Sequence, residues 1–113
     1  MNQKIPYAIE RYVRETNRLY GVLDRRLDGR AFIAGDDYSI ADMACYPWVV
    51  PWQRQQQDLA DFPNLQRWFE AIAARPATVR AYERGEAYSG RAAVTEAGKR
   101  ILFGQTAAST RRA

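Results

Sequence analysis

Apolar side chains recur every three or four residues through Ile9, Tyr12, Val13, Thr16, Tyr20, Leu23 and Leu27, which predicts one long helix with a single apolar stripe. Pro6 stands near its first turn, where a missing N–H is harmless. Asp28-Gly29 ends it, because Gly29 can take the left-handed conformation that follows a last helical turn. Phe32-Ile33-Ala34 is a short apolar connector into a turn at Gly35-Asp36-Asp37. From Tyr38 to Trp52 the pattern changes. Ile40, Ala41, Met43, Ala44, Cys45, Tyr46, Trp48, Val49, Val50 and Trp52 point in every direction of a helical wheel, which predicts a helix surrounded by protein. Ser39 is its expected N-cap, and Asp42 can reach back to the Ser39 N–H to complete a capping box. Tyr38 and Met43 are placed to form a hydrophobic staple across that start. Pro47 and Pro51 each delete a backbone hydrogen bond, so the helix should kink there or end near Val50.

After Trp52 the chain turns polar through Gln53-Arg54-Gln55-Gln56-Gln57, and Asp61-Phe62-Pro63 opens a further helix striped by Leu65, Trp68, Phe69 and Ile72. Arg75-Pro76 breaks it and begins another, carrying Val79 and Tyr82. Gly85 and Gly90 mark the end of the packed part. A short helix is expected around Thr95 to Leu102, followed by a mobile Ala/Ser/Thr/Arg tail. No stretch has strand character and no internal repeat is evident. The expected class is all-α: an orthogonal helical bundle of about four main helices over residues 1–88, with a C-terminal extension over 89–113.

Length and composition narrow the picture. A chain of 113 residues with 47% hydrophobic content suits one domain and one core. It has no His and a single Cys, Cys45, so neither an internal disulfide nor a Cys/His zinc site is available, as in a reducing cytoplasm. No signal peptide is visible. The uncharged run from Met43 to Gln53 is short of the roughly 20 residues a membrane span needs. Net charge is +4 and every positive residue except Lys4 and Lys99 is Arg, but the Arg residues are scattered among acids, which argues against nucleic-acid binding. Arg11, Arg14, Arg18 and Arg25 fall opposite the first helix's apolar stripe. They read as a solvated face supported by pairs such as Glu10 with Arg14, or in part as an anion site. Cys45 lies in the apolar run, where a buried thiol is inert. No catalytic and no metal-binding residue is assigned.

Four segments, in order, resemble a known family. Tyr38-Ser39-Ile40-Ala41-Asp42 with Ala44-Cys45-Tyr46-Pro47-Trp48, and then Phe62-Pro63-Asn64-Leu65 through Trp68 to Arg75-Pro76-Ala77, resemble helices of the glutathione transferase C-terminal domain. Ile5-Pro6-Tyr7-Ala8-Ile9-Glu10-Arg11-Tyr12 and Arg18-Leu19-Tyr20-Gly21-Val22-Leu23-Asp24 are similar to the bacterial Nu class, glutathione-dependent disulfide-bond reductases. Ile101-Leu102-Phe103-Gly104-Gln105-Thr106-Ala107 is also similar to that class. The resemblance covers nearly the whole chain from Ile5 onward. It implies glutathione as co-substrate and Arg11 as a contact to it, with Tyr7, Tyr12, Trp48 and Trp52 lining an acceptor-substrate pocket or else belonging to the core. It also implies a thioredoxin-like N-terminal domain that is absent from this sequence, so the chain is expected to be truncated, and inactive unless such a domain completes it. A homo-oligomer or a thioredoxin-like partner is expected, because the face otherwise covered by the missing parts would be exposed. The alternative reading is a non-catalytic helical module for dimerisation or docking.

Overall fold

The computed structural model describes residues 3–89 and 95–103. Among them are five α-helices and no strand: α1 (Pro6–Arg26), α2 (Ile40–Val49), α3 (Pro63–Ala73), α4 (Pro76–Glu86) and α5 (Glu96–Phe103), with one 3-10 turn at Leu59–Asp61. The chain is thus all-α, with helices at the expected places. Gly90, the tail and the end of the Ile101–Ala107 segment lie outside the described residues. Contacts divide the chain between Arg80 and Ala81, within α4, and the two parts are taken separately. The second contains α5, whose start is capped by Thr95 Oγ1 accepting from the Gly98 N–H at 3.0 Å.

In the first part the core consists of Tyr20, Leu27, Tyr46, Val49, Leu59, Phe62, Leu65, Trp68 and Ile72. It joins α1, α2 and α3 and includes edge-on aromatic contacts of Tyr20 with Phe62 and of Tyr46 with Trp68, at 5.7 and 6.2 Å between ring centroids. Helix α1 is bound to α3 reciprocally. Asp24 Oδ1 accepts from the backbone N–H groups of Asn64 and Leu65 at 2.9 and 3.0 Å, capping α3, whose own N-cap residue Phe62 has no side-chain oxygen. Arg67 of α3 in turn donates to the Leu27 and Arg30 carbonyls at 2.9 and 2.6 Å, satisfying acceptors just past the end of α1. The chain leaves α1 through Gly29, at φ +70°, a conformation that favours glycine.

The structure departs from the sequence reading in three places. The stripe of α1 is covered only toward its C-terminal end: Leu27 is fully buried, whereas Ile9 and Tyr12 are 40% and 70% exposed. Helix α2 is not enclosed. Asp42, Tyr46 and Val49 face the core, but Ile40, Met43 and Trp48 are exposed, Trp48 at 75%. The physical reason is that α1 and α3 lie on one side of α2, and no element of this part covers the other. Met43, expected in a staple, is 53% exposed, while Tyr38 packs edge-on against Phe32 and under the Arg75 guanidinium at 3.9 Å. The predicted helix end holds, since α2 stops at Val49.

The capping box is present and does more than cap. Asp42 Oδ2 accepts the Ser39 N–H at 2.9 Å, and Oδ1 accepts both the Ile33 N–H at 3.0 Å and the Trp68 Nε1–H at 2.8 Å. Burial opposes the charge on Asp42, but donation from Ile33, Trp68 and Ser39 outweighs it, so the carboxyl titrates below its ordinary value.

Asp42→Ala would remove the cap and leave the buried Trp68 N–H unpaired, an expected loss of about 3 kcal/mol or more. A urea-unfolding difference under about 1 kcal/mol would contradict this. Because the folded pKa is lowered, the stabilisation is full above the unfolded value of about 4 and fades as pH falls through the folded one. The acid unfolding midpoint of Asp42→Asn should accordingly respond less to pH in that range than that of the unaltered protein.

Candidate functional site

Helix α1 sets the site because it turns a charged face outward along its first half. Tyr7, Glu10, Arg11, Arg14, Glu15 and Arg18 line a shallow cleft of about 340 Å³. Their spacing explains the gathering: positions three and four apart are neighbours on one helix surface. All six belong to α1, so the cleft is a single wall. The helix is held against rotation by side chains after α2. Gln57 donates to the Val13 carbonyl and accepts from Asn17 Nδ2, both at 3.1 Å, and the Tyr20 hydroxyl donates to Gln55.

Charge in the cleft is mostly compensated. Arg14 pairs with Glu10, and Arg18 donates through Nε and Nη2 to both oxygens of Glu15, at 2.9 and 2.7 Å. Donation from Arg18 lowers the Glu15 pKa; desolvation opposes it, and the positive charges of Arg18 and then Arg11 add to the lowering. Arg11 enters no ion pair among the described residues and is exposed. It is a guanidinium with its donors available, and such a group can hold a carboxylate by two parallel hydrogen bonds. Of the four Arg residues singled out in the sequence, the structure brings Arg11, Arg14 and Arg18 together and leaves Arg25 outside the cleft. The Arg18–Glu15 pair was missed. Its signal was the simple three-residue spacing of opposite charges.

The aromatic candidates separate. Tyr7, Tyr12 and Trp48 are 74%, 70% and 75% exposed, so the core reading fails for them, whereas Trp52 packs against the core. Tyr7 belongs to the charged cleft and Trp48 to an apolar groove of about 290 Å³ between α1 and α2, shared with Leu19, Leu23 and Cys45. Burial first, and then the Asp42 carboxylate, push the Cys45 thiol up, which makes it a poor nucleophile near neutral pH. Among the described residues no cluster of His, Cys, Asp or Glu could hold a metal ion, and no helix is long and apolar enough to cross a membrane.

Comparison with known proteins gives one consistent family. A model of the glutathione S-transferase C-terminal domain matches residues 7–76. The chain is 57% identical over 76 residues to the disulfide-bond oxidoreductase YfcG of Escherichia coli, an alignment covering 67% of this chain and 35% of that protein. It is 40% identical over 84 residues to the disulfide-bond oxidoreductase YghU of the same organism, covering 68% of this chain and 29% of that one. A crystal structure of a glutathione transferase from Burkholderia graminis, with two glutathione molecules bound per subunit, superposes with a TM-score of 0.59 at 47% identity, over 66% of this chain and 33% of that one. The chain therefore spans about a third of the length of the relatives it matches.

Since two of these relatives are named for disulfide chemistry, the state of the one thiol here can be checked directly. Alkylation of Cys45 by iodoacetamide at pH 7 should run at least about tenfold slower in the folded chain than in urea, and should accelerate as pH rises. Equal rates in the two states would show that the thiol is neither shielded nor raised.

Proposed function

This chain belongs to the family of glutathione S-transferase C-terminal domains, and from that membership we propose that it forms the helical, substrate-side wall of a Nu-class glutathione-dependent disulfide-bond reductase. Arg11 carries the reading. It is a guanidinium free of ion pairs in a cleft whose other cations are already matched, and glutathione is a carboxylate-bearing tripeptide. The relatives' names supply the reaction class. Glutathione provides the sulfur that exchanges with an acceptor disulfide. In this chain Arg11 anchors the tripeptide, Tyr7 borders it, and the Glu10–Arg14 and Glu15–Arg18 pairs keep the neighbouring guanidiniums from competing for the same carboxylate. The cleft lies open on a single helix, where the effect of its guanidiniums on a thiol is screened by solvent, and Cys45 has its own pKa raised. Thiol activation is therefore assigned to a thioredoxin-like part, and the compartment to a reducing cytoplasm.

A second reading, a docking or dimerisation module, is favoured by the outer face of α2. Ile40, Met43 and Trp48 form a broad exposed apolar stripe on the side of α2 away from the buried Asp42, Tyr46 and Val49, with Trp48 also edging the groove between α2 and α1. Such a stripe favours association with another protein surface. The two readings are compatible if association through this face completes the site.

Calorimetric titration of reduced and oxidised glutathione should give saturable binding that Arg11→Ala weakens by about tenfold or more, as expected for loss of a charge-assisted hydrogen bond. Binding indifferent to that substitution would remove Arg11 from the site. Light scattering at micromolar concentration should show an oligomer that Trp48→Asp shifts toward monomer; a clean monomer before substitution would count against the second reading.

A further inference from the structure

Helix α1 carries an apolar seam beside the part of its stripe that enters the core. Ile5, Ile9, Tyr12, Thr16, Leu19 and Leu23 follow one another at alternating four- and three-residue steps, the repeat by which one helix packs lengthwise along another. Ile5, the residue just before the first turn, is fixed there because its carbonyl accepts the Ile9 N–H at 3.1 Å. Ile5, Ile9, Tyr12 and Leu19 are exposed, and Thr16 and Leu23 are half-buried. The seam floors two adjoining grooves, one of about 370 Å³ over Ile9, Tyr12 and Thr16 and one of about 290 Å³ over Thr16, Leu19 and Leu23, which meet at Thr16 and Gln55. Cys45 and Trp48 wall the second. The backbones of α1 and α2 each approach α3 and stay apart from each other, which leaves a trough along α1 with the shape of a helix.

We propose that this trough receives α1 of a second copy of the chain, antiparallel to the first, in a two-fold dimer; this names the surface and the partner for the association reading above and rests on it. The seam reads the same from both ends, as a two-fold interface between identical helices requires. Reversed against itself, it sets Ile5 against Leu23, Ile9 against Leu19 and Tyr12 against Thr16 of the second copy, each layer occurring twice. The outer layers join aliphatic side chains. The central ones join the seam's largest side chain to its smallest, so the Tyr12 ring fills the space that Thr16 leaves. A seam shaped for an unrelated helix has no reason to carry that symmetry. Its polar groups are also prepared for burial. The Thr16 hydroxyl donates to the Tyr12 carbonyl at 2.8 Å, so covering it strands no donor. Of the α1 positions that flank the seam, Glu15 alone is charged, and its charge is matched by Arg18. The Arg11 cleft lies on the opposite face of α1 and stays open in both copies.

Sedimentation equilibrium of the 113-residue chain should show a dimer at micromolar concentration. Thr16→Lys places two like charges at the centre of the seam and should raise the dimer dissociation constant about a hundredfold or more, with circular dichroism confirming that the variant stays helical. In a Cys45→Ala background, oxidising a mixture of Ile9→Cys and Leu19→Cys chains should give covalent dimers, and oxidising either variant alone should give few. Covalent dimers from either variant alone, or none from the mixture, would overturn the antiparallel pairing. An oligomer that Trp48→Asp disperses and Thr16→Lys leaves intact would put the contact on the outer face of α2, which overturns this proposal while the association reading stands. A chain that stays monomeric at micromolar concentration overturns both.

Discussion

The Asp42 carboxylate accepts hydrogen bonds from three separate places in the chain: the start of its own helix at Ser39, the connector at Ile33, and the indole of Trp68 on α3. Trp68 and Asp42 are both wholly inaccessible to solvent, so neither could remain buried without the other. An indole N–H without an acceptor, or a carboxylate without donors, would each carry a large desolvation penalty. This fixes where α2 begins, how the connector after α1 returns, and which face of α3 points inward. The core aromatics pack around it, with Tyr46 edge-on to Trp68 and stacked on Phe69.

Around this centre the helices satisfy one another's ends. The α3 start, which has Phe62 at its N-cap position, is capped by Asp24, and the carbonyls beyond α1 are taken by Arg67. Both contacts join the C-terminal end of α1 to the start of α3, one given by each helix, so α1 cannot slide along α3 without losing both. Gln57, itself buried, adds a third restraint at Val13 and Asn17, nearer the N-terminal end. That rigidity matters for the cleft, because its residues are individually exposed and their common direction comes from the helix that carries them.

Much of this was legible in the sequence where the determinant is local. The capping box, the stop at Gly29, the stripe of Leu65, Trp68 and Ile72, and the end of α2 near Val50 all follow from residues within a turn of one another. What was not legible depends on partners far apart in the chain. Asp42 was readable as a cap, but its second oxygen serves a residue 26 positions away. Gln55 and Gln57 looked like polar linker and are bonded to α1. The enclosure expected for α2 failed for a different reason: a wheel apolar on all sides records a need for cover, and the part of the chain that folds around it covers only one side. For the cleft, the sequence displayed four Arg residues on one face and the Glu10–Arg14 pair; the geometry was needed to show that Arg18 is matched as well, that Arg11 is not, and that Arg25 lies outside the cleft.

The same facts explain why anchoring and sulfur activation would be separate. Every buried side-chain polar atom among the described residues has a partner, so the interior offers no unused donor to stabilise a thiolate, and burial raises the one thiol it contains. Unspent charge exists on the outer face of α1, in water, where a guanidinium can hold a carboxylate but exerts only a screened effect on a sulfur some distance away. A thiolate needs donors fixed close to it in a site from which water is partly excluded. A wall contributed by one helix cannot exclude water alone. It can fix the position of a ligand against a surface that faces it, and on the proposed reading that task falls to Arg11, the guanidinium of the cleft that enters no ion pair.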